Sequence, residues 1–538
     1  RNRLTVGLDL LSSLAELLSE PNSADTPAGL SAQRVPRSHI YTVDYAGNVL
    51  HDFGERLTAT TSFGLQLTSK QYQTLFASGT GLGAPDVTLI QTAQTINASN
   101  TFSEQRSLGL FAQEQFAWSD RLFVTGALRM DNNSAFGSRI HRLLYPKASL
   151  SWVLSDEPAL SSFFERIHTG TFKFRTAWGE AGRAPDPYSA TQTFTIDKVT
   201  LGTGTTVSTG SALRTSAYGN PDLKPERGTE LEVGFDAGFL HDRVGMEFTF
   251  YDKRMNDVIV AQAIPGSSGF ASSRFMNLGR TLNRGVELGI NATPVQHRRF
   301  TWESRLNLST NHNELLSFGD PAKINEFVFS SYGSTSEAAQ QHRVGYPLAG
   351  WWARFPLKAA DGTDSLNAAR NAVVLDTATR FVGPAYPTRE IGFSNTFTIF
   401  GNLRLYSLFD LKSGFYVFNY KEFNRCNSNT NCWAVNDPAA SDLDKVVART
   451  ARAPYIEKGD FIKLRDLSLT YVVPSRLLRN FRARTASITL AGHNLGLWTD
   501  YTGIDPEVNT AGNRGFARVD AYAAPMNRRI TVSVNLGY

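Results

Sequence analysis

Along most of this chain apolar residues fall on every second position. From Glu230 to Phe239 they are Leu231, Val233, Phe235, Ala237 and Phe239, while Glu230, Glu232, Gly234, Asp236 and Gly238 fill the gaps. Successive side chains of an extended strand point to opposite faces, so this period of two predicts a strand with one greasy and one polar face. After Leu240-His241-Asp242-Arg243 the pattern resumes as Val244, Met246, Phe248 and Phe250 against Gly245, Glu247, Thr249 and Tyr251, which predicts a hairpin. It recurs at Val286, Leu288, Ile290 and Ala292 against Glu287 and Asn291, and at Trp302, Leu306 and Leu308 against Glu303, Arg305 and Asn307. Further copies start near Leu57, Leu108, Leu122, Phe172, Ile391, Leu403 and Ile530, for about sixteen or seventeen strands.

A sandwich or a propeller would also alternate, because each buries one face of its sheets. Connection lengths separate the possibilities. Trp118-Ser119-Asp120-Arg121, the turn at 240–243, the segment 294–299 and Phe400-Gly401-Asn402 are short, and between them lie long polar stretches at about 79–105, 179–228, 253–282, 313–388, 412–459 and 494–527. Short and long connections taking turns is the arrangement of an outer-membrane barrel, with tight turns on one rim and long loops on the other. Half a dozen loops beyond roughly 12–15 residues count against a compact soluble domain. The reading is therefore an all-β, transmembrane antiparallel β-barrel. Its apolar parity meets membrane lipid, and Glu230, Glu232, Asp236, Glu247, Glu287, Glu303 and Arg305 face the lumen.

Composition fits this picture. The chain has 538 residues and a net charge of +5 without long runs of one sign, which disfavours a nucleic-acid partner. No stretch approaches the 18 or so apolar residues of a membrane helix, which rules out helical spans and leaves strands untouched. Arg1-Asn2-Arg3-Leu4-Thr5-Val6 already lies inside an alternating pattern, so the expectation is a barrel domain over 1–538 that is incomplete at its amino terminus.

Local irregularities refine the expectation. Phe116, Trp118, Trp178, Trp302, Phe400, Tyr471 and Tyr538 fall near turns, where aromatic rings sit at lipid headgroups or fill a core. Ile462 and Leu464 are out of phase with Leu467, Leu469 and Tyr471, so that strand holds a bulge or starts above the membrane. Leu8, Leu11, Leu14, Leu17 and Leu18 fit either a short amphipathic helix or a continued strand.

Candidate chemistry is sparse. The nine histidines show no metal-binding spacing, and Gly79-Thr80-Gly81-Leu82-Gly83 and Gly202-Thr203-Gly204 lack the Gly-Lys-Ser/Thr ending of a phosphate loop. Paired carboxylates suit a glycosidase on paper, but solvated lumen charges explain them together. No catalytic residue, metal site or cofactor is expected. Cys426 and Cys432, the only cysteines, lie in an Asn-rich loop and suit a disulfide in an oxidising envelope. Trp351 and Trp352, inside the 313–388 connection, either offer a stacking platform to a sugar ring or pack the loop.

Longer motifs carry a family resemblance. Tyr218 through Gly234, with Gly219-Asn220-Pro221-Asp222-Leu223-Lys224-Pro225-Glu226 at its centre, resembles the loop-to-strand segment of TonB-dependent receptors. Asn-Pro and Lys-Pro hold such a segment extended, so the residues themselves predict a rigid loop exit. Asn277 through Glu287, Tyr455 through Leu467, and Gly492-His493-Asn494-Leu495 through Asp505-Pro506-Glu507 are similar to blocks of the SusC/RagA branch. The chain end from Arg528, alternating through Ile530, Val532, Val534, Leu536 and Tyr538, resembles the signal read by the barrel assembly machinery.

The resemblance implies a 22-stranded barrel closed by a plug, with TonB-dependent import of oligosaccharides or peptides across the outer membrane of a Gram-negative bacterium. It also implies a SusD-like surface lipoprotein as lid and energising by TonB-ExbB-ExbD through a plug and contact segment absent from this chain. A passive porin and a soluble carbohydrate-binding or hydrolytic β protein are the alternatives. The acidic loop of that branch departs here to Asp361-Gly362-Thr363-Asp364-Ser365, which removes the expectation of calcium in it.

Overall fold

The computed structural model describes residues 1–23, 26–84, 86–201, 208–264, 273–319, 326–328, 335–478, 483–510, 512 and 517–537. The chain forms two compact units, one of Arg1–Leu150, Ala177–Thr229 and Met255–Leu278, the other of Ser151–Thr176, Glu230–Arg254 and Gly279–Tyr538.

The strands in chain order are β1 (Asn2–Ser12), β2 (Ala15–Ser19), β3 (Leu30–Phe53), β4 (Leu57–Thr80), β5 (Thr95–Trp118), β6 (Leu122–Asn133), β7 (Leu143–Val153), β8 (Thr169–Arg183), β9 (Thr193–Leu201), β10 (Ser208–Ala217), β11 (Glu226–Phe239), β12 (Val244–Ala263) and β13 (Ser273–His297). They continue with β14 (Phe300–Ser317), β15 (Glu326–Val328), β16 (Ala338–Arg343), β17 (Gly350–Ala353), β18 (Arg380–Gly383), β19 (Arg389–Ile399), β20 (Leu403–Ser413), β21 (Tyr416–Phe418), β22 (Ile456–Lys458), β23 (Phe461–Val472), β24 (Thr485–Thr499) and β25 (Arg529–Gly537). Helices are short: α1 (Ser161–Arg166), α2 (Tyr420–Asn427), α3 (Trp433–Asn436), α4 (Asp442–Thr450) and α5 (Ser475–Leu478). Among the described residues, seventeen strands pair in the wall sheet, in line with the sixteen or seventeen that the alternation predicts.

In the first unit β3 and β4 pair without a break from Leu30↔Thr80 to Phe53↔Leu57, and β4 and β5 from Leu57↔Trp118 to Thr80↔Thr95. Each of these three strands has 24 residues, more than twice the roughly 9–11 that cross a bilayer. The wall therefore runs well past the apolar band, and much of the stretch read as loop from 79 to 105 is strand. Residues 95–105 lack alternation, yet the ladder continues because side chains pair across it: Gln73 Nε2 donates to Asn100 Oδ1 (3.3 Å) and Gln71 Nε2 to Glu104 Oε1 (3.0 Å). The 179–228 stretch likewise contains the β9–β10 hairpin. Leu8, Leu11, Leu17 and Leu18 lie in strands, with β1 and β2 both paired to β3.

In the second unit β13, β14, β19, β20, β23, β24 and β25 pair in that order, all antiparallel. The tight connections take the left-handed backbone that two-residue hairpins require: φ is 51° at Phe400 and 74° at Gly401. The phase slip in β23 is a bulge. Leu408 pairs with Asp466 and Phe409 with Leu464, leaving Arg465 as the extra residue.

The apolar parity of β25 is exposed. Ile530, Val532, Val534 and Leu536 are 54–70% exposed on one face of β25, and Tyr538 lies outside the described residues. Phe172, Phe235 and Phe248 stack across three neighbouring strands at 5.5 Å between ring centroids.

The core of the second unit sits elsewhere, in its long connections. There β15–β18 form a four-stranded sheet, β21 pairs with β22, and α2 to α4 pack nearby. Trp351, Phe418, Phe423, Tyr455 and Val519 close into one buried cluster with Cys426 and Cys432, which are joined by a disulfide. The described residues of 313–388 and 412–459 are therefore folded modules.

Candidate functional site

A sheet with an apolar outer face has only its polar face left for water and solutes. In the second unit that face forms a cavity of about 600 Å³, lined from β8, β11, β12, β13, β14, β19 and β20. Its charged lining is Arg175 against Glu230, Glu232, Glu247, Glu287, Glu390 and Asp410. The strict alternation places them together: Glu230 and Glu232 on β11, Glu247 on β12 and Glu287 on β13 all occupy the parity opposite the neighbouring apolar side chains. Gly289 and Gly392 on the same parity leave room for the cavity.

Some of this charge is compensated. Lys253 Nζ lies 3.0 Å from Glu230, Lys412 Nζ 3.2 Å from Glu390, and Arg465 Nε 2.9 Å from Asp410. Glu232, Glu247 and Glu287 have no cation within salt-bridge distance among the described residues. They leave the cavity with a net negative field that attracts cationic groups. The other carboxylates expected at the lumen are placed differently. Asp236 is held by Lys173 (3.0 Å) and Arg175 (2.9 Å), and Glu303 and Arg305 line a separate cavity of about 370 Å³ with Asp242 and Arg243, toward the short-turn end.

Sequence reasoning missed the densest ionic group. Lys463 is 4% exposed on its side chain and sits 2.7 Å from Asp505 and 2.5 Å from Glu507. Arg465, turned by the bulge, reaches Asp410 and Glu507 at 2.5 and 2.6 Å. Burial works to raise the Glu507 carboxyl, but the hydrogen bonds and charges of Arg465 and Lys463 outweigh it and hold it down at about 2. The available signal was the spacing of two cations in Lys463-Leu464-Arg465 and two acids in Asp505-Pro506-Glu507. Together they tie the 500–510 connection to the wall. Nearby, the Tyr501 hydroxyl donates to Asp520 (3.0 Å), and burial pushes that phenol far up.

Trp351 and Trp352 offer no free ring face. They are 0% and 4% exposed, with Trp351 Nε1 donating to the Tyr416 carbonyl (3.1 Å) and Trp352 covered by Arg343, Tyr346 and Phe381. They pack the loop module, which rules out the stacking platform. Trp433, at the start of α3 directly after the disulfide-bonded Cys432, is an exposed aromatic of this module. His342, in the same module, accepts the Ala349 N–H on Nδ1 (3.0 Å), and burial lowers it to about 4, so it is neutral.

The segment around Asn220 is the rigid exit that its prolines predict. Asn220 Nδ2 donates to the Phe275 carbonyl (2.8 Å), Asn277 bonds both the amide and the carbonyl of Lys224, and Lys224 Nζ pairs with Asp257 at 3.2 Å. Leu223 is fully buried, and a Cβ on Gly137 would stand 2.3 Å from the Pro221 carbonyl oxygen. In the departed acidic loop, Asp361 accepts the Thr363 N–H (3.0 Å) and Lys358 Nζ sits 2.6 Å from Asp364. A lysine thus occupies the cationic place beside Asp364.

Known proteins share this architecture. The family model described as TonB dependent receptor-like, beta-barrel, matches residues 15–495. TonB-dependent receptor P26 of Formosa agariphila is 26% identical over 484 residues, covering 82% of this chain and 47% of that protein. TonB-dependent receptor SusC of Bacteroides thetaiotaomicron is 21% identical over 428 residues, covering 74% of this chain and 41% of that protein. This chain thus spans less than half the length of these curated relatives. Among solved structures, that of the RagAB peptide transporter superposes with a TM-score of 0.80 at 20% identity, over 99% of this chain and 60% of that one. At this identity the likeness is one of fold.

Proposed function

Because this chain belongs to the TonB dependent receptor-like β-barrel family, we propose that it supplies most of the barrel wall of a SusC/RagA-like importer in the outer membrane of a Gram-negative bacterium. The cargo is an oligosaccharide or a peptide, carried across without chemical change. The observation that supports this most is the division of the wall: apolar parity bare on the outside, ionised parity around the 600 Å³ cavity. In lipid every backbone polar group must be satisfied within the protein, and a paired antiparallel wall does this while its two faces meet two solvents.

Each part of the wall then has a task. The acidic cavity presents a hydrated, cation-attracting surface to cargo and to an inserted plug domain. The disulfide-braced loop modules stand where a SusD-like lipoprotein lid closes over cargo. Energy comes from TonB-ExbB-ExbD acting on the plug, and the barrel assembly machinery reads the apolar alternation of β25. SusC and the RagAB peptide transporter provide the precedent for this branch by name.

The test is uptake by cells. Deleting the gene should abolish growth on one oligosaccharide or peptide source, and inactivating TonB should abolish it equally. Uptake that persists without TonB identifies a passive porin. A chain that remains monomeric and folded in buffer without detergent contradicts the membrane assignment.

A further inference from the structure

The short-turn rim of the second unit is not uniform. β11 and β12 join through 240–243, β13 and β14 through 298–299, and β19 and β20 through 400–402. The connection from β7 to β8 runs over 154–168 and is folded, with a 3₁₀ turn at Leu154–Asp156 followed by α1. It belongs to the same rim, since the Leu240 N–H donates to the His168 carbonyl at 2.9 Å.

A six-residue helix is too short to persist alone, so its sequence and packing must hold it. Phe164 is its buried anchor. Its ring stacks on Phe172 at 5.4 Å and so extends the Phe172–Phe235–Phe248 series along the outward apolar parity. The other large side chains point away from the protein. Leu160, Phe163 and Ile167 are 36%, 56% and 44% exposed, and their spacing of three and four residues puts them on one side of the helical turn. Glu165 and Arg166 are exposed beside them. Trp152, at the end of β7, is partly exposed and donates its Nε1–H to Glu157 at 3.1 Å.

We propose that the 154–168 connection is a membrane-interface anchor, with Leu160, Phe163 and Ile167 seated among phospholipid at the headgroup boundary on the short-turn side. Continuity decides for lipid over a protein partner. The apolar triad prolongs, through Phe164, the surface whose stacked rings already face outward. An amphipathic indole and an arginine flank it, the chemistry of an interfacial segment. The inference rests on the membrane reading of the wall proposed above.

The test uses the protein folded into phospholipid vesicles, with one environment-sensitive fluorophore placed at a time. Both native cysteines are joined to each other, so an introduced thiol is unique. Phe163→Cys and Ile167→Cys should give labels quenched several-fold more by lipids carrying a nitroxide near the headgroup than by aqueous iodide. Glu165→Cys should show the reverse, and Val233→Cys on the wall should respond to deep nitroxides. A lipid-shielded label at 233 with iodide-quenched labels at 163 and 167 overturns the anchor and leaves the wall assignment standing. Iodide quenching at 233 as well overturns the membrane reading itself. Shielding at 163 that disappears on dilution with unlabelled protein shows a contact between copies and also overturns the anchor.

Discussion

The sharpest consequences at the residue scale come from Lys463. Its ammonium is removed from water and faces two carboxylates, and removing one partner of a buried ion group leaves the other charges uncompensated. Lys463→Met should destabilise the detergent-folded protein by about 3–5 kcal/mol in chemical unfolding. It should also open the 500–510 segment to proteases. Two groups contribute to the acid response. His342 titrates near 4 in the folded protein against an ordinary 6.5, so its contribution is complete above about pH 6.5 and is lost as pH falls toward 4. Glu507, near 2 against 4.5, contributes fully above about pH 4.5 and loses its share as pH falls toward 2. Thermal melts should therefore fall on acidification, and His342→Gln should reduce the loss between about pH 6.5 and 4. Neither shift is legible in the sequence, because His342 becomes buried only once β16 pairs with β17, and Glu507 meets Lys463 across 44 residues.

Elements were legible wherever one face differs chemically from the other. β11 to β14, β19, β20 and β25 follow directly from alternation, and the out-of-phase Ile462 and Leu464 marked the bulge at Arg465. Where strands leave the apolar band both faces turn polar and the signal fades, which is why the first half of β5 reads as loop, while β9 and β10 form a separate two-stranded sheet. Trp351 and Trp352 were ambiguous for a related reason: an aromatic pair in a long connection reads alike whether it greets a ligand or anchors a core, and only the module built from β15–β18 decides. Two expectations belong to these elements. Breaking the Cys426–Cys432 bond, which spans a sequence separation of 6, should cost about 2 kcal/mol by loop-closure entropy. The loss should be confined to α2 and α3, seen as faster amide exchange there with β19 and β20 unchanged. Gly137→Ala forces a methyl against the Pro221 carbonyl and should destabilise the 219–226 exit by about 1–3 kcal/mol, measured by the same exchange experiment.

For the whole molecule, two faces of one wall meet two solvents. Charge on the outward parity is then far costlier than charge on the inward one. Val233→Arg or Phe248→Arg should cost about 2–4 kcal/mol of detergent-folded stability near the midplane, whereas Glu247→Arg, on the cavity side, should cost much less. The proposed import rests on that division of faces. The most direct measurement is a nitroxide scan of residues 230–239 in vesicles, comparing collision with oxygen, which concentrates in lipid, and with a water-soluble nickel chelate. Oxygen preference at 231, 233, 235, 237 and 239 with nickel preference at the positions between is the predicted result. Equal access to the chelate at both parities, or a preference in the opposite phase, would contradict the account.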